Sequence, residues 1–212
     1  MTPGAIVLLL LALGAAGVNW LAVAHENKRA EYVSKPATMV LLVGCALLLH
    51  PFSEAQRAWF VVALALSLVG DVLLMLPRDR FLAGLLAFLL AHVAFSIGFL
   101  STDFSAARAA LALTFLIIVG AVVMQRVIRG VRAQGQPRVA PAVLAYGVAL
   151  SFMVSVALAS RQPLAVVPAL LFYFSDTLIS VRRFVAPRPW MPVVIIVTYH
   201  LAQVGLVLIL AV

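Results

Sequence analysis

Eight apolar runs follow one another along this chain, separated mostly by short polar turns. They cover roughly 4–23, 36–50, 57–76, 81–101, 106–124, 139–159, 163–181 and 190–211. A bilayer core about 30 Å thick is crossed by a helix of about 20 residues. Inside it every backbone polar group must be satisfied within the spanning segment or a closed barrel. The short alternating segments of a membrane barrel are absent from the sequence. The runs therefore predict an all-α fold: one integral membrane domain over 1–212, a polytopic bundle of eight transmembrane helices. The second run is short for a span. With 65% of residues apolar and 10% charged, an ordinary soluble domain is excluded.

The first run has a signal-peptide look, because Ala22-Val23-Ala24 resembles a cleavage site. Met1 to Asn19, however, contains no Lys or Arg, and the run is of full span length. A retained first helix is expected.

The net charge of +8 does not point to nucleic acid. The basic residues sit in the turns, where they set topology and meet anionic lipid head groups. Lys28, Arg29, Lys35, Arg78, Arg80, Arg126, Arg129, Arg132, Arg138, Arg182, Arg183 and Arg188 follow the odd-numbered runs. Arg57, Arg108 and Arg161 follow the even ones. The positive-inside rule then places both termini away from the cytoplasm. The lone cysteine, Cys45, is inside an apolar run and is expected to be a buried, inert thiol.

Two carboxylates interrupt this pattern. Asp71 falls near the end of the third run and Asp176 near the end of the seventh. A charge at membrane depth costs roughly 2.5–3.5 kcal/mol on insertion scales, so such groups face a protein interior and are functional by default. They are 105 residues apart, an offset shared by Pro36 and Pro141, Leu73 and Leu178, and Arg78 and Arg183. That periodicity suggests a duplicated four-helix unit. Counting helical rise from Arg78 and Arg182 puts both carboxylates about 9–10 Å inside the cytoplasmic boundary. Lys35 opens the second run on that side and Asn19 falls in the inner third of the first. His92, Tyr199, His200 and Gln203 come out deeper, at about 16–20 Å. Ser67 with Asp71, His92 with Ser96, and Tyr199 with Gln203 are i, i+4 pairs. Tyr173, Asp176, Ser180 and Arg183 form a single stripe. Polar faces on several helices predict a shared interior cavity toward the cytoplasmic leaflet. Lys35-Pro36 also fits a plain snorkelling anchor and helix start.

In order, Lys35-Pro36, Gly70-Asp71-Val72-Leu73-Leu74, Phe81 to Phe88 running into Ala91-His92, Ser175-Asp176-Thr177-Leu178, Arg183-Phe184, Thr198-Tyr199 and Ala202-Gln203 resemble the YhhN family, the bacterial relatives of lysoplasmalogenase. The resemblance runs from about 35 to 205. Phe95 stands where the family often has a tyrosine, and His200 where a second aromatic is common. The resemblance implies a multi-pass hydrolase of the lysoplasmalogen vinyl ether, releasing a fatty aldehyde and glycerophosphoethanolamine or glycerophosphocholine. The family's favoured catalytic carboxylates map onto Asp71 and Asp176.

That chemistry suits paired carboxylates. Protonating the alkene carbon not bonded to oxygen gives an oxocarbenium ion, which water captures; glycosidases meet a similar cation with two carboxyl groups. One aspartate is expected to be the acid and the other to stabilise the cation and orient water. His92, Tyr199 and Gln203 are expected to orient these groups, and Lys35 and Arg183 to hold the lipid phosphate. Asn19 and Tyr173 complete the candidate set. No cofactor or metal is expected. The expected partners are the lysophospholipid substrate and membrane lipids, with no nucleic acid. The alternatives are a metal-dependent intramembrane lipid hydrolase, with Asp and His as Zn²⁺ ligands, and a lipid or small-molecule transporter.

Overall fold

The computed structural model describes residues 1–76 and 80–211. Arg78, used above for topology, depth and the repeat offset, lies outside the described residues. The described residues form eight α-helices and no strand. The helices are α1 (Pro3–Ala24), α2 (Lys28–Leu48), α3 (Glu54–Met75), α4 (Phe81–Leu100), α5 (Ala106–Ala133), α6 (Ala140–Ala159), α7 (Val166–Phe184) and α8 (Met191–Leu208). All eight are long and apolar enough to cross a membrane. The starts follow local chemistry. Thr2, Asn27, Ser53 and Ser105 each accept a hydrogen bond from a first-turn N–H, satisfying a donor that the helix leaves free. Proline occupies the first turn of α6 and α8, where its missing N–H costs nothing.

Two helices depart from the expected bounds. α2 begins at Lys28, not near Pro36. Its first turn is polar but well capped: Asn27 accepts from the Ala30 N–H, and Lys28 pairs with Glu31 at 2.8 Å. Pro36 lies within the helix, so Lys35 projects two turns from its start rather than opening it. α5 runs on through the basic stretch expected as a loop. Arginine is a good helix former, and Val127 and Val131 are buried on one face of that extension. It ends where Gly135 takes a left-handed φ of 71°.

Neighbouring helices pack as α1–α2, α2–α3, α3–α4, α6–α7 and α7–α8, with α8 closing on α1. The circuit passes from α4 directly to α6, leaving α5 outside, lying mainly on α6. α5 is accordingly the barest helix: Leu111, Phe115 and Ile118 are 73%, 64% and 66% exposed. Large apolar side chains turned outward are what a lipid-facing surface requires. Inside, Phe60, Phe95, Phe99 and Phe172 are fully buried, with Phe60 edge-on to Phe95 and Phe99.

The α3–α4 seam positions the first carboxylate. It closes at three glycines opposite bulky partners: Gly98 against Phe60, Gly70 against Phe88 and Gly84 against Leu74. A Cβ on Gly70 would stand 2.6 Å from the Phe88 ring. Gly70→Val is expected to destabilise the protein by about 1–3 kcal/mol through overpacking, seen as a lower unfolding temperature in detergent. Shortening the partner in Gly70→Val/Phe88→Leu should recover part of that loss. An unchanged unfolding temperature in the single variant would mean the seam is loose.

Candidate active site

Six helices bring two hydrogen-bonded carboxylate clusters into the bundle interior. In the first, Asp71 of α3 is 1% exposed. The Lys35 ammonium of α2 lies 2.9 Å from its Oδ1. The Tyr199 hydroxyl of α8 donates to Oδ2 at 2.6 Å. Lys35 also stands 5.8 Å from the centre of the Tyr199 ring, on which it has a cation–π contact. Phe88, admitted by Gly70, packs edge-on against that same ring at 5.9 Å. Backbone seam, aromatic packing and ion pair thus fix one carboxylate from three directions.

The second cluster is built on Asp176 of α7, which is 4% exposed. Its Oδ2 accepts from the Tyr146 hydroxyl of α6. The His92 Nε2 of α4 lies 3.1 Å from the same oxygen and 3.0 Å from the Tyr146 hydroxyl. With the tyrosine proton spent on the carboxylate, His92 must supply an Nε2–H. Ser175 next door donates to the Ile195 carbonyl at 3.0 Å, tying α7 to α8 at this level.

Phe172 separates the clusters. Its ring meets the His92 ring edge-on at 4.9 Å and the Tyr199 ring at 5.7 Å. Asp71 and Asp176 share no hydrogen bond: each is held by its own partners. Their surroundings differ. Asp71 faces a cation. Asp176 faces hydroxyl and imidazole groups, and it alone of the two lines an apolar groove of about 740 Å³ between α5, α6 and α7. Leu116, Val123, Val143 and Leu150 form part of the groove's apolar lining, and Tyr146, Tyr173, Thr177 and Ser180 add polar groups around Asp176.

The structure therefore groups Lys35 and Tyr199 with Asp71, and His92 with Asp176. His92 does not sit well below the carboxylates, as the depth count expected. α7 continues to Phe184, so Asp176 is about 12 Å from its end, and His92 about 16 Å from the start of α4. The side chains span the small difference. Tyr173 lines the groove beside Gly120 of α5. Gln203 is buried one turn beyond Tyr199, its amide without a well-formed hydrogen bond. Asn19 joins α1 to α2 through Ser34 Oγ at 2.9 Å. Arg183 lies over the Phe81 ring, its guanidinium carbon 3.9 Å from the centre. His200 accepts from the Trp20 indole N–H at 3.1 Å. Among the described residues, no three His, Cys, Asp or Glu side chains converge as a metal-holding group.

Two central residues were not singled out from sequence. Tyr146 stands six residues into α6, about 9 Å by helical rise, so the depth rule applied to the aspartates also reaches it. Phe172 gave no signal, since an aromatic in an apolar run is ordinary core.

Apolar helices closed around buried, partnered carboxylates define a multi-pass membrane protein with a polar centre inside its helical bundle. The chain belongs to the YhhN family, whose sequence profile matches residues 30–210. It is similar to proteins named lysoplasmalogenase from Mycobacterium bovis and Mycobacterium tuberculosis, each 33% identical over 172 residues. The match covers 79% of this chain and 66% of each relative, so the chain spans just under two thirds of their length. No solved structure matches the chain.

Proposed function

We propose that this protein is a lysoplasmalogenase-like hydrolase that cleaves the vinyl ether of a lysoplasmalogen, with Asp176 as the proton donor. The observation that carries this reading is the position of Asp176, held by Tyr146 and His92 at the wall of an apolar groove. The names of the relatives support the substrate class.

The alkenyl chain lies in the groove with its double bond at Asp176. The carboxyl proton passes to the alkene carbon farther from the ether oxygen, leaving an oxocarbenium ion at the carbon bonded to that oxygen. The Tyr146 O–H and His92 N–H hydrogen bonds stabilise the carboxylate as it forms. Its charge, with that of Asp71 behind Phe172, favours the cation. Water adds to the cationic carbon and gives up a proton to Asp176, restoring the acid. The hemiacetal then collapses to fatty aldehyde and the glycerol hydroxyl. Lys35 and Tyr199 hold Asp71 in place rather than touching the lipid.

The direct test incubates purified protein with lysoplasmalogen and, separately, with an ester lysolipid. Aldehyde from the first and no fatty acid from the second is the expected result; an inactive, well-folded protein on the vinyl ether refutes the reading. Tyr146→Phe is expected to lower kcat about ten- to hundredfold with little change in KM, because it removes one donor to the developing carboxylate. Steady-state aldehyde release checks this.

The basic turns favour one membrane domain with both termini on the non-cytoplasmic side of the cell membrane. The 105-residue offset between Asp71 and Asp176, which fall on the third helix of each half, favours an ancestral four-helix duplication. Reporter fusions to the two termini test the orientation: cytoplasmic activity of either fusion contradicts it.

A further inference from the structure

The groove is not uniform along its length. Its deep part, from Leu116 to Val123 on α5, is apolar. Its other end is walled by Gln125, Arg129 and Arg132 of the same helix. Asp176, Thr177 and Ser180 sit between these regions on α7.

Two contacts set the level of α5 against α7. Gly120 faces the Tyr173 hydroxyl, where a Cβ would stand 2.7 Å from the oxygen. Gly130 abuts the Phe184 carbonyl so closely that a Cβ would come within 1.8 Å of its oxygen. Gln134 adds a side-chain hydrogen bond to the Arg183 carbonyl at 3.1 Å. The helices are therefore parallel here, and interpolation places Asp176 level with residues 122–123 of α5. Arg129 Nε donates to the Gln125 carbonyl at 3.3 Å, folding the guanidinium back one turn toward Asp176. At 1.5 Å per residue, Gln125 itself is about 4 Å along α5 from the level of Asp176. Among the described residues, the terminal nitrogens of Arg129 make no hydrogen bond. Neither Arg129 nor Arg132 is ion-paired with a carboxylate among the described residues.

The geometry points to Arg129 and Arg132 as the site that binds the phosphate of a single-chain lysophospholipid, with its hydrocarbon chain along Leu116–Val123. The identity of the bound lipid rests on the hydrolase reading above. In a lysoplasmalogen a short glycerol linker separates the phosphate from the vinyl ether, which marks the start of the hydrocarbon chain. In the groove, Asp176 marks the same junction between cations and apolar wall. An arginine fork suits phosphate. Anchoring that group at the α5 end brings the vinyl ether to the acid, and the phosphate is common to choline and ethanolamine head groups.

The test separates binding from turnover. In neutral nanodiscs, the wild-type protein should bind a saturated 1-alkyl lysophosphocholine, which it cannot cleave, at least tenfold more tightly than the matching 1-alkylglycerol. Arg129→Gln/Arg132→Gln should erase that preference while leaving alkylglycerol binding intact. Arg126→Gln, on the same helix but outside the groove, should keep it. With the cleavable lipids, the double variant should lose roughly tenfold or more in kcat/KM on lysoplasmalogen and nothing on 1-alkenylglycerol. Equal binding of the two alkyl lipids by wild type overturns the proposal. So does loss on both substrates, or retention of the preference in the double variant. Phosphate-dependent binding without aldehyde from the vinyl ether lipid would leave the anion site standing and remove the hydrolase reading instead.

Discussion

Asp176→Asn should cut aldehyde release from lysoplasmalogen by about a hundred- to ten-thousandfold, the range that a positioned general acid supplies. The amide keeps the shape and can still meet Tyr146 and His92, so the fold should survive. It has no acidic proton for the vinyl carbon. The loss should therefore fall on kcat, with KM and lipid binding near wild type. Solvent deuterium should slow the wild-type enzyme, because proton transfer to carbon is the hard step. A folded Asp176→Asn protein with near-normal turnover would place the acid elsewhere. Asp71→Asn offers the sharpest comparison. Asp71 is outside the groove lining, so its amide should cost less in kcat than the Asp176 amide. An equal loss at both positions would argue that they act as one unit.

The helices were legible because run length and polar turns report directly on membrane crossing. The start of α2 was not, because Lys28, Arg29 and Glu31 lower the local hydropathy while Asn27 still caps a helix there. The α5 extension was hidden for the same reason: its arginines read as loop, although Val127 and Val131 keep one face buried. The passage of the circuit from α4 to α6 has no sequence signature, since hydropathy does not encode neighbours. That hidden step brings His92 to Asp176 and leaves α5 to wall the groove. The aspartates themselves stood out because ionisable groups are rare at membrane depth. Lys35 was visible but read toward a lipid phosphate, since its span appeared to start beside it; two turns inside α2, it meets Asp71. Arg129 and Arg132 were visible only as topology signals, because a sequence does not reveal which turn of one helix lies beside which turn of another.

Removing the cation beside Asp71 should be the most damaging single change to stability. Asp71 is almost fully buried, and the Lys35 side chain is only 14% exposed. Lys35→Met leaves a carboxylate in an apolar interior with the Tyr199 hydroxyl as its remaining strong partner. Breaking one side of a buried pair costs about 3–5 kcal/mol, mainly because the other charge is stranded. Neutralising both sides removes that cost: Lys35→Met/Asp71→Asn should be much more stable than Lys35→Met and close to wild type. Unfolding of the four proteins of this cycle in one detergent measures the coupling directly. Additive effects would mean that the two groups do not depend on each other. The cycle also separates stability from chemistry. If the rescued double variant folds well and binds the saturated lipid yet releases aldehyde slowly, the negative charge behind Phe172 contributes to catalysis across the ring. If it turns over like wild type, the Lys35–Asp71 pair is an internal tie between α2 and α3, and the reaction belongs to Asp176 and the residues around it.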